Sequence, residues 1–167
     1  MNHHLHIRRA LMDDAADILA AHHSAVHTTA GRHYPPAITA QWSRTVDAER
    51  INQMREVIAA GRELIHVAVI AGRVRGFGSF DASTNDLIAI YVHADAGRMG
   101  MGAALLAAVE QHARDLGLRF LAMDASVNAE AFYRKHGYRT LARGMHRMAS
   151  GEDMACVKMR KDLVEAG

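Results

Sequence analysis

A single cysteine, Cys156, excludes a disulfide framework within this chain. It lies in the apolar stretch Met154-Ala155-Cys156-Val157, the setting of a buried structural thiol rather than a nucleophile. Apolar runs are short, and none approaches the roughly 20 residues that cross a bilayer. The start, Met1-Asn2-His3-His4-Leu5-His6, lacks the apolar region of a signal peptide, so the expected location is the cytoplasm. Excess charge of one sign is also missing: 20 Lys and Arg against 18 Asp and Glu leave a net charge of +2. That is too little to point to nucleic acid. Arg outnumbers Lys, which suits phosphate recognition but equally fits a biased codon composition. With 50% hydrophobic and 23% charged residues the chain is not of disordered composition, and 167 residues suit one core. One domain over residues 1–167 is expected, without internal repeats.

Periodicity then sets the elements. His6 to Ala10 reads as an opening strand, and Asp13-Asp14 as the start of a helix carrying Ile18, Leu19 and His22. Thr28 to Pro36, with Gly31 and Pro35-Pro36, reads as a loop or broken turn. Helical pieces follow at Ile38 to Trp42 and Ala48 to Ala60, the latter ended by Gly61. Leu64 to Ala71 and Val74 to Phe80 form a hairpin about Ala71-Gly72-Arg73. Leu87 to Val92 is a continuous apolar run, as expected of a strand covered on both faces. From Gly102 a helix buries Leu105, Val109, His112 and Leu116 along one face and stops at Gly117. A strand over Leu118 to Met123, a short helix over Ala129 to His136, and strands over Tyr138 to Met148 and Met154 to Arg160 complete an α/β mixed-sheet chain.

The segment richest in chemistry is the junction after Leu87–Val92. Gly97, Gly100 and Gly102 would leave backbone N–H groups uncovered at a helix N-terminus, where unpaired donors and the positive dipole end favour a phosphate. Arg98 adds a matching charge. The spacing alone fits a tight turn with close helix–sheet packing equally well. A P-loop is excluded, because Ala103-Ala104 stands where Lys would follow. A dinucleotide fingerprint is met in part by Gly100-x-Gly102 and by Asp124 about 20 residues on. Its third glycine position holds Leu105, and no further βαβ units follow.

Two stretches resemble the GNAT (GCN5-related) N-acetyltransferases, whose likeness extends over nearly the whole chain. Tyr91-Val92 followed by Gly100-Met101-Gly102-Ala103-Ala104-Leu105-Leu106 is similar to that family's strand, Arg/Gln-x-x-Gly-x-Gly/Ala turn and Leu-rich helix. Asp124-Ala-Ser-Val-Asn-Ala-Glu-Ala-Phe-Tyr-Arg-Lys-His-Gly-Tyr138 resembles its later motif, an aromatic pair, three residues and Gly-Phe/Tyr. Met159-Arg-Lys-Asp-Leu163 is similar to its closing strand. Two departures stand out: Gly97 takes the usual Arg/Gln position, with Arg98 displaced by one, and Ser126 stands where Asn is common.

The resemblance implies a mixed, mostly antiparallel sheet flanked by helices, and direct transfer of acetyl from acetyl-CoA to a primary amine. It implies that Gly97, Arg98, Met99, Gly100, Met101, Gly102 and Ala103 hold the pyrophosphate, with Ser126 and Phe132 along the cofactor. Backbone N–H groups around Ile90, Tyr91 and Val92 would polarise the thioester carbonyl. Tyr133 matches the general acid toward sulfur. For the base, Asp86 is the leading candidate, beside Asp81 and His93. The acceptor pocket is expected from the first third of the chain, with His27, Tyr34 and Trp42 as its walls beside His22 and His23. A metal site at His3, His4, His6 and His22-His23 lacks a Cys or carboxylate to complete it, and none is expected. The acceptor is expected to be a small-molecule amine. A protein or peptide amine, or a non-catalytic acyl-CoA-binding role, is the alternative, and a homodimer through C-terminal edge strands is plausible.

Overall fold

The computed structural model describes residues 4–164, so His3 of the histidine-rich start lies outside the described residues. The elements are β1 (His6–Arg9), α1 (Ala15–Ser24), α2 (Pro36–Trp42), α3 (Ala48–Ala60), β2 (Glu63–Ile70), β3 (Arg73–Asp81) and β4 (Asp86–Val92). They continue with α4 (Met101–Asp115), β5 (Phe120–Ser126), α5 (Glu130–Lys135), β6 (Arg139–Arg147) and β7 (Asp153–Asp162). One seven-stranded sheet runs β1-β2-β3-β4-β5-β7-β6. Every neighbouring pair is antiparallel except β4 and β5, which are parallel. The expected α/β class with a mostly antiparallel sheet is what forms.

Strand alternation decides which helix covers which face. Ile65 and Val67 of β2 pack with Ile18 and Ala21 of α1, while Ala68 packs with Met101 and Leu105 of α4. Helices α1 and α4 therefore lie on opposite faces. Leu105, Leu106 and Val109 are fully buried, each worth about 1.5–3 kcal/mol of transfer free energy. Buried Glu110 on the same helix takes the Lys161 ammonium of β7 at 2.8 Å, tying α4 to the far half of the sheet.

Most boundaries shift from the sequence reading by a residue or two, and two of the shifts have a clear physical cause. Pro36 opens α2 instead of closing a loop, because a proline at the first helical position gives up an N–H that would be unpaired anyway. The fifth strand starts at Phe120 rather than Leu118, whose N–H closes the end of α4 on Ala113 O at 3.0 Å. Between α1 and α2 the chain is not a plain loop: a π turn, Ala25–Thr29, and a 3₁₀ turn, Ala30–Arg32, prolong α1.

Candidate active site

Two features open the sheet at its centre. The parallel strands β4 and β5 share one register pair, Asp86 with Ala122, beside Ala122 N–H on Asn85 O at 2.9 Å. Beyond it, among the described residues, they part. A bulge at Ile88 of β4, opposite Ser79 and Phe80 of β3, leaves Ile88 unpaired, so Leu87 joins the α4 side with Ile90 and Val92. The unpaired edge of β4 thus faces a gap, and a cavity lies on each side of it.

The first cavity, about 340 Å³, runs between the splayed strands and along the start of α4. Ile90 to Val92, Gly97, Gly102, Ser126, Phe132 and Tyr133 line it. Gly100 ends the turn in the left-handed region (φ 72°) and caps α4, and Arg98 is also left-handed (φ 66°). The first helical N–H to find a carbonyl is that of Ala104, on Gly100 O at 3.0 Å. Those of Met101, Gly102 and Ala103 are left to a ligand, at the positive end of a 15-residue helix. A Cβ on Gly102 would stand 3.4 Å from the Phe132 ring, so glycine keeps this mouth open.

Tyr133 projects from α5 into the same cavity, edge-on to Phe132 with ring centroids 5.1 Å apart. Burial first, then the proximity of Tyr91, raises its pKa, so the hydroxyl keeps its proton. Asn128 lines the cavity too, and its buried Oδ1 has no partner among the described residues. An orphaned carbonyl there fits an amide N–H of a ligand threaded between the strands.

The second cavity, about 520 Å³, lies across the gap and meets the first at Trp42, Tyr91 and Ser126. Trp42 Nε1 donates to the Tyr91 hydroxyl at 3.2 Å, and His22 sits edge-on to Tyr91 with centroids 4.7 Å apart. Burial, aided by Arg50 and the neighbouring histidines, pushes the His22 pKa down to about 4, so this partition rests on a neutral imidazole. Desolvation raises the Tyr91 pKa to about 12. Asp86 and Ile88 of β4, Asp124 of β5, His146 of β6 and Lys158 of β7 line the chamber.

The family model of the acetyltransferase (GNAT) domain matches residues 32–163. This chain is a GNAT acetyltransferase domain. A GCN5-related N-acetyltransferase structure from Rhodopseudomonas palustris is 26% identical, with 97% of this chain and 98% of that chain covered and a TM-score of 0.84. PaiA N-acetyltransferase from Thermoplasma acidophilum, solved with coenzyme A, is 15% identical over 95% and 99% of the two chains (TM-score 0.76). YncA, a putative acetyltransferase from Salmonella typhimurium solved with acetyl-CoA, is 22% identical over 98% and 96% (TM-score 0.71). No curated protein matches the chain.

Within this GNAT domain the sequence-derived site residues divide. Ile90, Tyr91, Val92, Gly97, Gly102, Ser126, Phe132 and Tyr133 converge on the first cavity. Gly100 and Ala103 contribute through the turn and the helix start. Met101 turns its side chain into the core, 1% exposed, so only its N–H is available. Arg98 and Met99 stand exposed on the turn. Asp81 is committed elsewhere: Ser83 and Arg62 bind its carboxylate and pull its pKa down to about 2. His93 Nδ1 accepts from the Asp95 N–H and lies against Arg75.

The residues expected to wall an acceptor pocket depart most from expectation. Of His27, Tyr34 and Trp42, only Trp42 reaches the second cavity. Exposed His27 bonds Ser43 O through Nε2 at 2.7 Å. Tyr34 is buried behind Trp42, and its hydroxyl is used by Ala155 O at 2.6 Å and the Val127 N–H at 2.8 Å. The other walls come from β4 to β7, because β7 inserts between β5 and β6 and carries Cys156 and Lys158 to the opening. Asp124 was legible in principle: along β5 it alternates with Leu121, Met123 and Ala125, which face the core.

Proposed function

We propose that this GNAT domain transfers an acetyl group from acetyl-CoA to the primary amine of a small molecule. The observation that carries the reading is the pair of cavities meeting at Trp42, Tyr91 and Ser126, beside the unpaired edge of β4. The first fits acetyl-CoA: free N–H groups on Met101, Gly102 and Ala103 suit its pyrophosphate, and the orphaned Asn128 Oδ1 suits a pantetheine amide. When bound, the cofactor supplies an activated acetyl thioester. Tyr133, kept protonated by burial, holds a proton toward the gap between the strands, where a leaving thiolate needs one. Asp86 lines the second cavity where β4 and β5 pair, and its carboxylate suits the ammonium group of an acceptor. Displacement of the basic residue from position 97 to Arg98 leaves the cradle to backbone donors, so cofactor binding should depend only weakly on Arg98.

A peptide amine is the second reading. At Trp42, His146 and Met154 the second cavity continues into a surface depression of about 530 Å³ beside Gln41, Arg44 and Met148. That depression could seat the residues behind an N-terminal amine. The outer edge of the sheet is β6, with Leu141 and Met145 exposed, which supports a homodimer through that edge. No helix among the described residues is long and apolar enough to cross a membrane, and a cytoplasmic location belongs to the proposal.

Thermal unfolding with acetyl-CoA, NAD and ATP tests the cofactor. At 100 times its dissociation constant a ligand adds about 2.7 kcal/mol, a shift of a few degrees, expected here for acetyl-CoA alone. Tyr133→Phe should then keep that protection and lose about 100-fold in turnover. Unchanged turnover would remove Tyr133 from the chemistry, and protection without any turnover in the wild type would leave only an acyl-CoA-binding module.

A further inference from the structure

We infer that His146, held in place by Asp124, takes the proton from the acceptor amine; the inference deepens the transferase reading above and rests on it. Asp124 is a carboxylate in the middle of β5, on the side away from core residues Leu121, Met123 and Ala125. Its Oδ2 lies 3.1 Å from His146 Nδ1, and its Oδ1 takes the Lys158 ammonium at 2.9 Å. Three strands, β5, β6 and β7, thus bring one carboxylate, one imidazole and one ammonium to the wall of the second cavity.

The other groups on that wall are poor bases. Lys158 is held as a cation by its bond to Asp124. Burial, and then the nearby Asp124 charge, push the Cys156 thiol up, so it stays protonated. Asp124 is itself engaged by two cationic or donor partners. Asp86 lies where β4 and β5 still pair, four residues before Ile90, roughly 13 Å along an extended strand. The imidazole remains. An ionised carboxylate can only accept, so His146 donates from Nδ1, and Nε2 carries the free lone pair. The same division of labour operates in the His–Asp pairs of hydrolases. His146 is half exposed, with 55% of its side chain open to solvent, so a proton taken up can leave.

The step balances. The amine nitrogen bonds to the acetyl carbon as the carbon–sulfur bond breaks. An acceptor that arrives as ammonium first gives one proton through His146 Nε2 to solvent; on attack its next proton passes to His146 Nε2, and the sulfur electron pair takes the Tyr133 hydroxyl proton. Solvent returns a proton from the imidazolium to the tyrosinate. Asp86 from β4, Asp124 from β5, Lys158 from β7 and Arg44 beyond α2 are the charged groups that face this region.

The test compares wild type, His146→Gln, Asp124→Asn and Asp124→Glu. Acetyl transfer is followed to methylamine, a cation at neutral pH, and to hydroxylamine, which is neutral there. Nitrogen-15 histidine spectra and thermal protection by acetyl-CoA are recorded on the same proteins. In the wild type the His146 proton should sit on Nδ1, and Asp124→Asn should disturb it. His146→Gln should lose about 100-fold with methylamine at neutral pH, recover as pH rises, and lose far less with hydroxylamine. Asp124→Asn should move the pH profile, and Asp124→Glu should restore part of it. All variants should keep acetyl-CoA protection. If His146→Gln keeps the wild-type rate and pH profile with methylamine, or the proton sits on Nε2, the inference falls while the transferase reading stands. If the wild type is not protected by acetyl-CoA, or transfers to neither probe, the transferase reading falls and takes the inference with it.

Discussion

The two cavities beside β4 are built by opposite means. At the start of α4 the first cavity is made of backbone and small residues: a left-handed Gly100, a Gly102 that a side chain would crowd, and open N–H groups. Most of its lining lies within two stretches, 90–102 and 126–133. The second cavity, the proposed acceptor side, is made of side chains from α2 and four strands, joined by contacts distant in sequence such as His146–Asp124 and Lys158–Asp124. A shared, invariant ligand can be read by backbone dipoles, which depend on local conformation. A particular acceptor must be read by side chains, whose meeting depends on strand order.

The largest expected effect would break the comparison at its shared wall. Tyr91 and Trp42 rest against His22, whose folded pKa is about 4 against an ordinary 6.5. The unfolded chain therefore binds the extra proton first as pH falls, and folding stability drops between about pH 6.5 and pH 4. The loss due to His22 is about 3 kcal/mol by pH 4. Urea titrations across this range should show it, and His22→Phe should flatten the dependence. An equal slope in wild type and variant would show that other groups carry the acid sensitivity.

Next in size, Gly102→Val should damage the cofactor side alone. Its Cβ would press on Phe132 at 3.4 Å, and the added methyls would narrow the mouth of the cavity. Acetyl-CoA affinity should fall by about 100-fold, near 2.7 kcal/mol, as read by calorimetry. Retained affinity would mean that the ligand does not use this turn.

The smallest change would sharpen the acceptor side. Leu141 is 56% exposed yet lines the second cavity beside Ile88. Once an acceptor is found, Leu141→Ala should raise its KM several-fold, about 1 kcal/mol, and leave acetyl-CoA protection unchanged. A KM that does not move, or one that moves together with cofactor affinity, would collapse the distinction between the two sides.

What could be read in advance follows the same divide. Gly100, Gly102, the aromatic pair Phe132-Tyr133 and the strand before the turn are local signals; Gly102, Phe132, Tyr133 and Ile90 to Val92 line the first cavity, and Gly100 caps the helix beside it. Met101 turned inward because the residue after the αL cap already belongs to the helix face that packs on Ala68. Asn128 gave no signal, since only the 3₁₀ turn Val127–Ala129 places its amide between the strands. Tyr34 and His27, chosen as plausible amine walls, are spent on backbone partners from Val127, Ala155 and Ser43.

The order of strands and helices, the glycine turn before α4 and the place of Tyr133 beside it could thus be read in the sequence, because each depends on residues close together in the chain. The insertion of β7 between β5 and β6, the bulge at Ile88 and the parting of β4 from β5 were decided only in the folded molecule. Those three features place Asp124, His146 and Lys158 opposite β4. Strand alternation names the face on which a residue lies, but only long-range pairing decides what it meets there.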